Sequence, residues 1–189
     1  MHRSEEIFQG HSGLKLYSQS WHPPGKTKAK LAIVHGVAEH SNRYVNLVNG
    51  LVESGFALYA FDQRGHGKSE GQRGYIESWS EYRADFDIFL DLVTNDDSSL
   101  PLFVYGHSMG ALVILDYLIQ ESNGIQGAII SGSPIDSSKA VSPTLILTAR
   151  VLSRFWPTFS MASPIQSAQL SCDARVVQAY QDDPSVFKT

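Results

Sequence analysis

Residues 106–110 read Gly-His-Ser-Met-Gly, a serine set between two glycines where an apolar run gives way to an apolar helical pattern. A serine hydroxyl in that setting suits nucleophilic attack on an acyl carbon. The G-x-S-x-G spacing marks a sharp strand-to-helix turn that presents the serine at the strand tip. The flanking glycines leave out side chains that would collide with neighbouring backbone. The following helix aims its positive N-terminal end at the oxygen that becomes negative during attack. Ser108 is therefore the candidate nucleophile. A junction that merely happens to hold a serine is the bland alternative, and the strand and helix on either side weigh against it.

A second stretch, His35-Gly36-Val37, closes the apolar run that begins at Leu31. Acyl transfer at such a turn needs two backbone N–H donors for the oxyanion, one from the residue after the nucleophile and one from this loop. Met109 and Val37 occupy those positions and contribute main chain only. A His-Gly pair after a strand carries little weight alone and more beside the serine turn.

Three stretches taken together resemble the monoacylglycerol lipase and lysophospholipase group of α/β-hydrolases. They are His35-Gly36-Val37-Ala38-Glu39-His40-Ser41 with Arg43-Tyr44, Asp62-Gln63-Arg64-Gly65-His66-Gly67-Lys68-Ser69, and Gly106-His107-Ser108-Met109-Gly110. The likeness runs from about residue 6 to the end and includes Asp183-Pro184. It implies hydrolysis of a single-chain acyl ester, a small-molecule substrate, with Ser108 as nucleophile and Val37 and Met109 as oxyanion donors. It also implies that Glu39 and Arg43 shape the polar end of the pocket. Ala111 departs from the group, whose members often carry a third glycine there. Read from the residues alone, Glu39 and Arg43 stand four apart at a helix start, where a local ion pair of a few tenths of a kcal/mol accounts for them nearly as well. Asp62 and Arg64 suit a structural hydrogen bond or ion pair after a strand, and His66 suits a turn better than a base.

A serine hydroxyl is a poor nucleophile until a base takes its proton. In α/β-hydrolases the partners follow in the order serine, acid, histidine. Here His2, His11, His22, His35, His40, His66 and His107 all precede Ser108. His107, beside the nucleophile, is expected to point away from the line of attack. Asp116, Asp136, Asp173, Asp182 and Asp183 follow, but on helical or cap-like stretches, and none is assigned as the acid. The expectation is an N-terminal portion of a longer hydrolase, truncated before the last strands. The strand at 126–130 then becomes a sheet edge with two apolar faces, open to pairing or aggregation. The alternative is a naturally short, non-catalytic α/β-hydrolase-like protein that binds acyl lipid or a partner. A peptidase, thioesterase or acyltransferase could share the serine turn; the resemblance alone favours monoacylglycerol-type esters.

The elements that must position these residues are legible as β-rich runs alternating with helical patterns, the signature of a mostly parallel sheet with flanking helices. Leu14, Leu16, Tyr17 and Trp21 belong to an antiparallel lead-in from Glu6 to about Pro23. Strands follow at Leu31–His35, Phe56–Phe61, Leu102–Tyr105 and Gln126–Ile130, unbroken enough to be buried on both faces. Helices are predicted over 42–54, stopped by Gly55, from a capping box at Ser78 and Glu81 through Val93, and over 109–121. On the second of these, Trp79, Tyr82, Phe86, Phe89, Leu90 and Val93 share one face. The core is assigned to 1–134. The cap is assigned to 135–189, beginning with a helix over 142–156 halted at Pro157 and continuing through Pro164 and Pro184 in short helices and turns.

Composition bounds the rest. The 189 residues are 42% apolar and 18% charged, enough for a real core, and the net charge of −4 comes without a basic stripe, against nucleic-acid binding. One cysteine, Cys172, rules out an internal disulfide and fits a cytoplasmic setting. No metal-ligand cluster or phosphate-cradling loop stands out, so no metal or cofactor is expected. No run is long enough to cross a bilayer. Peripheral membrane contact through the apolar 142–156 helix and simple packing of cap on core explain that helix equally well.

Overall fold

The strands of the sheet take their places from two alternating apolar sets. In β3 (Ala29–Val34) every residue is buried. Leu31 and Ile33 face one way, onto Val48 and Val52 of α1 (Val45–Glu53). Ala32 and Val34 face the other, in the larger core with Phe86, Phe89 and Val93 of α2 (Ser80–Asp96) and Val113 and Ile114 of α3 (Met109–Gln120). The period-2 alternation of a strand sends neighbours to opposite faces, so a strand covered on both sides reads as one continuous apolar run. β4 (Phe56–Phe61) is built the same way.

These elements belong to a computed structural model that describes residues 1–121, 124–136, 142–156, 158 and 170–187. The sheet has six strands in the order β1-β2-β4-β3-β5-β6, with β1 (His2–Gln9), β2 (Lys15–His22), β5 (Leu102–His107) and β6 (Ile125–Ser131) completing the set. β1 with β2 and β2 with β4 are antiparallel; the β4-β3-β5-β6 block is parallel. The expected fold class, a mostly parallel sheet flanked by helices, is the observed one. β6 ends the order, as the sequence implied, and Ile129 on it is half exposed.

Local signals hold with two adjustments. The helix expected over 42–54 opens with a 3₁₀ turn at Ser41–Tyr44 before α1 begins. At the head of α2 only half of the capping box forms. Glu81 Oε2 accepts from the Ser78 N–H at 3.4 Å and the Glu77 N–H at 2.9 Å, but Ser78 Oγ accepts from Ser80 N rather than Glu81 N.

The far end of α2 is closed by a residue that periodicity passed over. Lys30 is buried in β3, and its Nζ donates to the carbonyls of Val93 (2.8 Å), Thr94 (3.1 Å) and Asp97. Those are the unpaired carbonyls that every helix C-terminus leaves over. Burial lowers the Lys30 pKa, against the raising pull of Asp97 and Asp96.

Beyond the sheet, α4 (Pro143–Phe155) matches the helix expected over 142–156, capped by Ser142 Oγ accepting from Leu145 N at 3.3 Å. Leu147, Val151 and Phe155 on it are exposed. α5 (Ala174–Asp182) is the last helix described. Pro157 and Pro164 lie outside the described residues. Among those described, no helix is long and apolar enough to cross a membrane, and no group of three or more His, Cys, Asp or Glu could hold a metal.

Candidate active site

The turn from β5 into α3 holds Ser108 at φ 51° and ψ −117°, a backbone state that a non-glycine residue adopts only under constraint. The constraint is visible. Ser108 N donates to Ser131 O of β6 at 2.9 Å, and Ser108 O accepts from Ala111 N and Leu112 N at 3.1 and 3.2 Å. The glycines around it are needed for closeness. A Cβ on Gly110 would stand 2.2 Å from Val34 O, and one on Gly106 would stand 2.7 Å from Ala111 Cα. The strain at such a residue costs about 1–3 kcal/mol and persists only because its neighbours over-determine it.

The facing wall is the loop after β3. A Cβ on Gly36 would lie 3.2 Å from Ser108 Cβ, so the two segments approach closely. Glu39 folds back over this loop. Its Oε1 accepts from Gly36 N at 2.6 Å and from the Tyr44 hydroxyl at 2.7 Å, while Oε2 lies 3.5 Å from Arg43 Nε. Burial and the Glu39 carboxylate push the Tyr44 hydroxyl far above its ordinary pKa, so it stays a donor. Arg43 Nε, though within ion-pair distance, makes no aligned hydrogen bond, and the guanidinium instead stacks 4.7 Å from the centre of the Tyr180 ring.

Ser108, Gly36, Val37, Glu39, Arg43 and Tyr180 line one pocket of about 370 Å³. Of the residues singled out from sequence, the pocket therefore gathers Ser108, Val37, Glu39 and Arg43. Met109 follows Ser108 as the first residue of α3, and its partly buried side chain packs against the larger core. His107 also lines the pocket, with Nδ1 3.4 Å from Ser131 Oγ.

Sequence reasoning missed the contribution of the chain's far end. His40 Nε2 lies 2.8 Å from Asp183 Oδ2, Val186 is buried, and the Phe187 ring stands 4.9 Å from the His66 ring. The end of α5 and the segment after it are thereby fastened beside the pocket, whose lining includes Tyr180 and Phe187. No sequence period announces contacts at that separation; only Asp183-Pro184 was marked in advance, as part of the resemblance.

The Asp62–Ser69 stretch is a scaffold. Asp62 Oδ1 accepts from Ser41 N and Ser41 Oγ at 2.8 and 2.6 Å, and Oδ2 accepts from Lys68 N at 2.8 Å. Arg64 grips Asp85 with two bonds, Nε to Oδ2 at 2.6 Å and Nη2 to Oδ1 at 2.9 Å. His66 is buried, and its pKa is lowered to about 3 by burial and the neighbouring His35 ring. It sits in a turn as a neutral ring.

No hydrogen bond joins the Ser108 side chain to a histidine or carboxylate among the described residues. Four of the acids that follow it are engaged elsewhere: Asp116 with Arg83 (2.9 Å), Asp173 with Arg175 (2.8 Å), Asp182 with Gln178 (2.8 Å) and Asp183 with His40. What the site offers is a strained serine, a loop facing it, and a pocket whose apolar lining of Val37, Ala38, Leu170 and Phe187 is joined by the charged Glu39 and Arg43 and the polar His107 and Tyr180.

Comparison with known proteins adds a lineage to this geometry. Residues 25–189 match the family described as Serine aminopeptidase, S33. A monoacylglycerol lipase of Mycolicibacterium smegmatis is 33% identical over 184 residues, covering 97% of this chain and 65% of that protein. The Homo sapiens monoglyceride lipase is 32% identical over 178 residues, covering 93% of this chain and 58% of that protein. The crystal structure of Paleococcus ferrophilus monoacylglycerol lipase matches with a TM-score of 0.76 at 29% identity, over 92% of this chain and 64% of that one. In each case the chain spans less than two thirds of the relative's length.

Proposed function

The chain belongs to the serine aminopeptidase S33 family of α/β-hydrolases, a family related to the monoacylglycerol lipases, and from that premise we propose that the whole protein is a serine hydrolase of single-chain acyl esters. Monoacylglycerols or lysophospholipids are the proposed substrate class; the names of the monoacylglycerol lipase relatives support the first, and the resemblance of the three sequence stretches adds the second.

In this reading Ser108 Oγ attacks the ester carbonyl, and the carbonyl oxygen takes up negative charge between the N–H groups of Met109 and Val37. Collapse expels the alcohol and leaves an acyl-enzyme, which water then hydrolyses by the same route. The proton leaving Oγ needs an acceptor, later the donor to the departing alcohol. The reading therefore requires a base and its acid partner from residues other than those described. Glu39 and Arg43 give the pocket its polar end, where a glycerol or headgroup hydroxyl would lie, while the acyl chain takes the apolar remainder. The exposed Leu147, Val151 and Phe155 of α4 suit peripheral contact with a lipid surface, and the single cysteine suits a cytoplasmic setting.

The observation that carries the proposal is the strained Ser108 facing, across one pocket, a loop so close that a Cβ on Gly36 would stand 3.2 Å from Ser108 Cβ. The test is reaction of the full-length protein with a fluorophosphonate probe, alongside hydrolysis of monoacylglycerol, lysophospholipid and aminoacyl-amide substrates. Labelling and ester hydrolysis that both vanish in Ser108→Ala are expected. A folded full-length protein that resists the probe and turns over none of these would instead be a lipid- or partner-binding relative, and preference for the amides would make it a peptidase.

A further inference from the structure

Two buried histidines lie beneath the loop facing Ser108, and one of them is wired to the peptide that carries an oxyanion donor. His35 is fully buried and makes two ring contacts. Its Nε2 is 2.9 Å from the backbone N of Gln63, and its Nδ1 is 2.7 Å from Gly36 O. A backbone N–H can only donate, so Nε2 must be the unprotonated acceptor. The proton of the neutral ring then sits on Nδ1 and is donated to Gly36 O. Burial lowers the His35 pKa and keeps the ring neutral, in agreement with that assignment. The side chain of Gln63 works to the same end, its Nε2 donating to His35 O at 2.7 Å.

Gly36 O and Val37 N–H belong to one peptide plane, and no peptide bond among the described residues is cis. In a trans peptide the C=O and N–H point in opposite directions. Holding Gly36 O toward the buried ring therefore turns the Val37 N–H to the opposite side, where Gly36, Val37 and Ser108 line the pocket. On the preceding peptide, Gly36 N–H is held by Glu39 Oε1. Gly36, which has no side chain to brace it, is gripped on both of its peptides.

We propose that His35 is a positioning residue: its Nδ1–H, in a tautomer dictated by the Gln63 backbone, fixes the Gly36–Val37 peptide so that the Val37 N–H meets the developing oxyanion. This rests on the reading of Ser108 as nucleophile. It also assigns a joint task to two of the sequence stretches, since the ring comes from one and the group that sets its tautomer from the other. Such a residue acts on the transition state and leaves substrate binding nearly untouched.

The test uses the full-length protein and three variants. His35→Phe removes both ring functions, His35→Asn keeps an N–H donor near the Nδ1 position, and His35→Gln keeps an acceptor near Nε2. Misplacing a donor by about 1 Å costs up to ~100-fold, so His35→Phe is expected to lower kcat by at least ~10-fold with KM changed less than ~2-fold. A boronate transition-state analogue should weaken in proportion to kcat, and a non-reacting substrate analogue should not. His35→Asn should recover more of kcat than His35→Gln. In parallel, ¹⁵N-histidine NMR of the wild type should show a neutral His35 ring protonated on Nδ1. An Nε2-protonated ring, or variants that raise KM while kcat and analogue affinity hold, overturns the proposal, and the NMR result decides the case where His35→Phe fails to fold. Absence of Ser108-dependent hydrolysis in the wild type fails differently, removing the functional reading and this inference together.

Discussion

His40 and Asp183, 143 residues apart, are joined by a 2.8 Å contact between Nε2 and Oδ2. His40 heads the 3₁₀ turn before α1, next to Glu39, and Asp183 ends α5. Burial alone would raise the Asp183 pKa, but the hydrogen bonds from His40 and the Ser185 N–H outweigh it and hold the carboxyl below its ordinary range. A depressed carboxylate stabilises the folded state above its unfolded pKa, and that contribution disappears as pH falls through the folded value.

The fastening of residues 183–187 beside the pocket should therefore hold at neutral pH and release below about pH 4. Hydrogen exchange at Ser185 and Val186 measures it. Asp183→Ala should exchange at neutral pH as the wild type does in acid, at a cost of about 1.5–3 kcal/mol. Unchanged protection in that variant would mean that Val186 and Phe187 alone hold the segment.

Asp85 faces Arg64 through two bonds, and both side chains are nearly inaccessible. Removing Asp85 leaves the buried Arg64 guanidinium with Glu81 as its remaining acid partner, so Asp85→Ala should cost about 3 kcal/mol in denaturant unfolding. Arg64→Lys should not rescue the site, because an ammonium cannot reproduce the two-pronged grip. A loss below about 1 kcal/mol would contradict the buried pairing.

Two glycines should respond oppositely to alanine. Gly110 has Val34 O 2.2 Å from where a Cβ would be, so Gly110→Ala must push β3 from α3 and cost about 1–3 kcal/mol or more. Gly50, in the middle of α1, has open space around it, and Gly50→Ala should stabilise by about 1 kcal/mol. Thermal unfolding of the two variants reads both signs at once.

Lys30→Met should uncap α2, leaving the carbonyls of Val93, Thr94 and Asp97 without their shared donor. The expected loss is about 1–3 kcal/mol, with amide exchange rising first in the last turn of α2. A methionine variant as stable as the wild type would show that water replaces the ammonium there.

What the sequence displayed was whatever repeats locally. β4 was legible to both ends, and the face shared by Tyr82, Phe86, Phe89, Leu90 and Val93 was legible too, because burial on a helix or strand has a period. The serine turn was legible because its glycines are sterically forced. Lys30 was not, since a charged side chain that caps a helix 63 residues away leaves no periodic trace. Glu39 was half legible. Its spacing to Arg43 suggested a local pair, yet its shortest bonds go to Gly36 N and Tyr44, which only the folded loop brings to it. Tyr180 and Phe187 were invisible for the same reason, their partners being fixed by tertiary packing.

The hydrogen bond from Ser108 N to Ser131 O has a further meaning. Ser131 closes β6, which among the described residues pairs with β5 alone. Strands can loosen locally at free energies well below global unfolding. The strained serine turn is thus moored to β6 as well as to its own helix. Mild heat or denaturant that frays β6 would relax Ser108 while both cores stay intact, and reactivity at the serine would fade before the fold does.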